Sequence, residues 1–150
     1  MSSQPAADGV CATQRLLPYP RGQVHAAFAD PDCLATWWGP DGFTNSFELF
    51  DFKPQGRWHF VMHGPDGAHY PNQSFFLETS LDRIVIRHDC QPLFTLTISL
   101  ADHGSQTQLD WRQAFDDPQL AANIWHIIQP SNEQNLNRLE RALASKLSGG

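Results

Sequence analysis

The sequence holds only three cysteines, Cys11, Cys33 and Cys90, odd in number and widely spaced. That spacing excludes a disulfide framework and a zinc site, and thiols fit a reducing cytoplasm. Basic residues are scarce: ten Lys and Arg stand against sixteen Asp and Glu, for a net charge of −6. Binding a phosphate backbone needs clustered cations, so no nucleic-acid partner is expected. No apolar run approaches the ~18 residues of a membrane span, and the first residues lack the basic-then-apolar layout of a signal peptide. The expected location is therefore cytoplasmic. A His-carboxylate-His helix motif, a nucleophile elbow and a phosphate loop are all missing. His59 and His63 share a strand face, but four residues along a strand is roughly 13 Å, too far to hold one ion. No metal and no cofactor are expected. There is no internal repeat and no low-complexity segment.

What is present is an ordinary globular composition, 41% hydrophobic and 17% charged. A chain of 150 residues makes one domain and can bury roughly 70% of its unfolded surface. Residues 1–9, small and polar, are expected to be a disordered tail, and 10–148 a single domain. The densest pattern runs from Phe50 to Gly67. Pro54 ends one strand and Gly56 permits a turn. Trp58, Phe60 and Met62 then alternate with Arg57, His59 and His63, the period of a half-buried strand. Asp51 and Arg57 flank the turn as structural hydrogen-bonding groups.

The rest of the chain falls around that hairpin. Val10–Leu17 reads as a first strand, followed by a helix from Arg21 and a short second helix over Asp32–Trp37. Further strands are expected over 43–52, 69–80, 83–89, 93–101 and 107–115. Leu96 and Ile98 face one way in the sixth, Thr95 and Thr97 the other. A short helix follows Asp117-Pro118 through Ile124 and Ile127, and Pro130 is expected to interrupt it. Ser131 to Gln134 resembles a capping box. Leu136, Leu139, Leu143 and Leu147 then form one apolar stripe on a long C-terminal helix. Strands grouped apart from helices mean an α+β fold. It is an antiparallel sheet of about six to seven strands, curved around the last helix, with two short helices after the first strand.

Trp37-Trp38-Gly39-Pro40, Gly42-Phe43-Thr44, Asp51 through Trp58 and Gly64-Pro-Asp-Gly67 resemble the heat-shock-protein ATPase activator homologue family. Asp30-Pro31 and Leu81-Asp-Arg-Ile84 fit the same pattern. The resemblance covers about residues 14 to 147. It implies membership of the START-like, birch-pollen-allergen-like (SRPBCC) superfamily, whose helix-grip fold encloses a hydrophobic cavity between sheet and helix. One departure is Gln55, where the family usually has a second glycine before Gly56.

The candidate ligand-binding residues follow from the inward faces. Trp37 and Trp38 either stack on a ligand at the pocket rim or pack the short helices against the sheet. Trp58, Phe60, Met62, Phe75, Leu77, Ile84, Ile86, Phe94, Leu96 and Trp111 are expected to face the interior from the strands. Leu136, Leu139 and Leu143 are expected opposite them on the long helix. His88 shares the face of Ile84 and Ile86, so it is the histidine expected inside, as a satisfied core group or a polar anchor. No catalytic residue is assigned, because no paired acid and base can be placed together.

The expected function is binding of a small hydrophobic ligand, a lipid, sterol, polyketide or flavonoid-like molecule, in that cavity. The alternatives are an enzyme of cyclase or hydrolase type using the same cavity, and an interaction protein for a chaperone or regulator. A monomer or weak dimer is expected.

Overall fold

The structure is a computed structural model that describes residues 8–149, with backbone only from 146 on. The first seven residues of the expected tail lie outside the described residues. Asp8 and Gly9 lead into the sheet, where the Gly9 carbonyl accepts from Phe115 N–H at 3.1 Å.

Seven strands make one antiparallel sheet: β1 (Val10–Leu17), β2 (Thr44–Phe50), β3 (Arg57–His63), β4 (His69–Thr79), β5 (Arg83–His88), β6 (Phe94–His103) and β7 (Gln106–Phe115). Their order is β1-β7-β6-β5-β4-β3-β2. The long crossover from β1 to the far edge carries α1 (Arg21–Ala29) and α2 (Pro31–Trp37). Asp30 caps α2 by accepting from Asp32 N–H, and Pro31 fills the first helical position, where a missing N–H costs nothing. After β7 come α3 (Pro118–Asn123) and the long α4 (Trp125–Gly149). Asp117 caps α3 through Gln119 N–H.

Alternation decides what is buried. Leu96, Ile98 and Leu100 on β6 and Leu109 and Trp111 on β7 are nearly inaccessible, while Thr97, Ser99 and Asp110 between them are half-buried or exposed. On α4 the stripe of Leu136, Leu139 and Leu143 is fully buried against that face. Arg15 on β1 fixes the helix from the side by pairing with Glu133 at 2.8 Å and with Glu140.

Two expectations need correction. Pro130 does not interrupt a helix; it lies inside α4. Only the carbonyl of His126 loses its donor there, and both residues are exposed, so water can serve it. Packing on both sides of the proline keeps the axis running. Trp125 and Ile128 are buried with Cys11, Phe115 and Ala121, and the leucine stripe follows. Ser131 to Gln134 is therefore mid-helix and no capping box, and Ile127 is exposed.

The second correction concerns β4. Phe75 and Leu77 were expected inside, but Leu77 is exposed, and Phe75 borders an outer-face hollow with Gln55, Arg57 and Asp89. Trp58 pairs with Ser74, and Ser74 with His88, so Ser74 and Phe76 hold the inner face. A bulge between Phe76 and Glu78 then shifts the register. Three consecutive apolar residues, 75 to 77, leave no alternation from which to read the phase.

Candidate ligand-binding site

Beyond the leucine stripe, toward the start of α4, helix and sheet enclose a cavity of about 430 Å³. That volume lies in the range of small-molecule sites. Its apolar end is aromatic. Trp58 and Phe60 follow one another on the inner face of β3 with rings stacked at 4.3 Å. Trp38, just past α2, meets Trp58 edge-on at 5.1 Å and leans on Trp111 of β7 at 5.8 Å. Met62, Ile86, Phe94 and Leu96 complete this wall. The indole N–H groups of Trp58 and Trp111 are buried without a hydrogen-bond acceptor. Phe47 and Phe50 stand at steep angles to the Trp58 ring.

The opposite end is polar. His88 lies flat on Phe94 at 4.4 Å. Its Nδ1 is 2.8 Å from the Pro92 carbonyl and its Nε2 is 2.7 Å from Asn72 Oδ1. Burial pushes the imidazole below its ordinary pKa, while the backbone carbonyls of Pro92 and Cys90 pull it back up. From α4, Asn132 donates to Gln113 Oε1 at 2.9 Å, and Asn135 Oδ1 accepts Gly39 N–H at 3.1 Å. Ser74, opposite His88 on the neighbouring strand, also lines the space.

The loop carrying Trp38, Gly39 and Pro40 forms one wall, and besides Asn135 and Gln134 one further side chain of α4 ties it down at several points. The Arg138 guanidinium donates to the carbonyls of Thr36, Trp38, Gly39, Pro40 and Phe43 at 2.8–3.2 Å. Desolvation lowers its pKa. The guanidinium offers five N–H donors in a planar fork, whereas a lysine ammonium offers three from a single point. Gly39 has φ +99°, and a Cβ there would lie 2.7 Å from Met62 Cε. Only glycine gives this loop both its conformation and its closeness to β3.

Of the sequence candidates, Trp38, Trp58, Phe60, Met62, Ile86, His88, Phe94, Leu96 and Trp111 come together around the cavity. Trp37 does not; its indole donates to the Ala27 carbonyl at 3.2 Å and packs edge-on against Phe28. Ile84, Leu136, Leu139 and Leu143 lie in the dry core instead of on the cavity wall. Phe75 and Leu77 lie away from it, as described above. Sequence reasoning missed Asn72, Ser74, Gln113, Asn132 and Asn135. Two of these carried a signal: helical steps of four back from Leu139 and Leu136 lead to Asn135 and Asn132. A buried amide on an apolar stripe marks a polar function. His63 and His69, close neighbours at 2.7 Å, sit at the outer mouth, where His69 lines the opening. Among the described residues no group of three or more metal-ligating side chains occurs.

Residues 18–144 match the model of the family described as Activator of Hsp90 ATPase homolog 1-like protein. The chain belongs to that family. A comparison with curated proteins finds no match. Among solved structures, a protein from Nitrosomonas europaea is similar at TM-score 0.86 and 22% identity, covering 95% of this chain and 99% of that one. One from Mycobacterium smegmatis has TM-score 0.81 at 18% identity, with 95% and 96% covered. An AHSA1-like protein from Aeromonas hydrophila has TM-score 0.72 at 17% identity, with 91% and 93% covered. At these identities the likeness establishes the helix-grip fold.

Proposed function

We propose that the protein binds a small, mostly apolar molecule in the cavity between its sheet and α4. The observation that supports this most is a 430 Å³ space that the fold leaves open beside a fully packed leucine stripe. A sheet and helix of this composition could have closed on themselves as they do at Leu139. Flat aromatic polyketides, flavonoids and sterols suit walls made of tryptophan and phenylalanine rings, which offer stacking faces. The binding set is Trp38, Trp58, Phe60, Met62, Ile86, His88, Phe94, Leu96 and Trp111. Binding alone is favoured over a cyclase or hydrolase reaction. Both nitrogens of His88 are within hydrogen-bond distance of protein groups, the Pro92 carbonyl and the Asn72 side-chain amide, which leaves no free acid or base aimed at a substrate. No helix among the described residues is long and apolar enough to cross a membrane, and Cys11 and Cys90 are free thiols, which suits a cytoplasmic setting.

Native mass spectrometry of gently purified protein, followed by denaturation and small-molecule analysis, tests the reading. A stoichiometric apolar adduct that is lost from Phe60→Arg supports it. An adduct that Phe60→Arg retains, or a screen of flat apolar compounds giving no binding, contradicts it and leaves the protein-partner alternative in the lead.

A further inference from the structure

Ser74 is 3% exposed, yet among the described residues nothing hydrogen-bonds its hydroxyl. Nor is its oxygen one of the sealed, unpartnered atoms, a set that does include the indole nitrogens of Trp58 and Trp111. Its cross-strand partners Trp58 and His88 both line the cavity, which puts the hydroxyl on the same inner face. A polar group this deeply buried is normally bonded. Across the cavity, Asn135 spends its carbonyl oxygen on Gly39 and keeps its amide N–H pair unspent, and Gln113 does the same toward Asn132. The lining contains no Asp, Glu, Lys or Arg. Arg138, whose two terminal nitrogens are spent on loop carbonyls, does not line the space.

From this we infer that the cavity selects an uncharged ligand whose carbonyl or hydroxyl oxygen is held by the Ser74 hydroxyl, and that it rejects carboxylates of the same shape. The inference rests on the cavity reading above. An ionised carboxylate would lose its water with no cation to replace it, which is far costlier than desolvating a neutral oxygen that gains a hydrogen bond. A neutral carbonyl accepts from Ser74 and from the Asn135 or Gln113 amide with no charge to compensate. This separates amides, ketones, phenols and alcohols from fatty and aromatic acids.

Three probes of one shape test it at pH 8: 2-naphthamide, 2-naphthoate and naphthalene, titrated by calorimetry and by ¹⁵N shifts of the lining residues. The amide is expected to bind at least tenfold more tightly than the carboxylate. Ser74→Ala should weaken the amide about fivefold to twentyfold and leave naphthalene unchanged, whereas Ser74→Thr keeps the hydroxyl and most of the affinity. Naphthoate binding as tightly as the amide overturns the inference, as does a Ser74→Ala protein with unaltered amide affinity. Both results leave the cavity reading standing. If none of the three probes shifts the lining residues, the cavity reading fails and this inference fails with it.

Discussion

Gln55 has φ +68°, the left-handed region that favours glycine, and the family pattern usually has glycine at that place. The turn needs this geometry because Gln55 N–H donates to the Phe76 carbonyl at 2.7 Å and Gly56 N–H to Lys53 at 2.8 Å. A non-glycine residue there costs about 1–2 kcal/mol, partly offset by its smaller loss of chain entropy. Gln55→Gly should therefore raise stability by about 0.5–1 kcal/mol, read as a higher urea midpoint; a lower midpoint would contradict the strain. His88 gives a pH dependence. Its pKa is lower folded than unfolded, so below the unfolded value of about 6.5 the unfolded chain takes up the proton more readily. Stability is then highest above that value and falls as pH drops through it toward the folded pKa. Between pH 8 and 5 the wild type should lose more stability than His88→Gln, which keeps the other six histidines. Equal losses would mean that His88 is not neutral inside the fold.

The elements show what could and could not be read from the sequence. β6 was legible because it alternates cleanly, β3 because it alternates but for Val61, and the leucine stripe because it repeats at helical steps. β4 was not: Phe75-Phe76-Leu77 has no period, and its phase comes from pairing with Trp58 and His88. Pro130 was misread because a local rule about proline was overridden by long-range packing of Trp125 and Ile128. The apolar half of the cavity wall was visible for the same reason as the core, since both use one face of the strands. The polar half was harder to read, because asparagines on a helix pass for solvated residues unless the leucine stripe is followed back to 135 and 132. Leu139, fully buried mid-stripe, tests the docking. Leu139→Ala should cost ~2–5 kcal/mol by chemical denaturation, and an unchanged midpoint would remove α4 from the sheet. Arg138 tests the loop. Arg138→Ala strands five carbonyls and should cost about 2–4 kcal/mol, since each charged hydrogen bond is worth about 1.5–3 kcal/mol and water recovers part. Arg138→Lys should recover only some of this. Hydrogen exchange at residues 36–43 should speed up in both variants, and undisturbed exchange there would show that the loop is held by other contacts.

At the scale of the molecule, one sheet meets one helix in two ways. Along the leucine stripe they close completely, and the core there is dry. Toward the start of α4 they are held apart by bulky rings and by the Arg138-anchored loop, and the wall of the space between them holds no Asp, Glu, Lys or Arg. The five tryptophans divide along the same line: Trp38, Trp58 and Trp111 border the space, whereas Trp37 is in the packed core and Trp125 in a second cluster beside β1 and α3. The indole N–H region of a ¹H–¹⁵N spectrum therefore tests the central claim directly. On titration with a flat neutral aromatic compound, the indole signals of Trp38, Trp58 and Trp111 should move together and saturate at one equivalent while that of Trp125 stays in place. Saturable shifts confined to outer-face residues such as His59, Phe75 and Leu77, with the three cavity indoles unmoved, would contradict it.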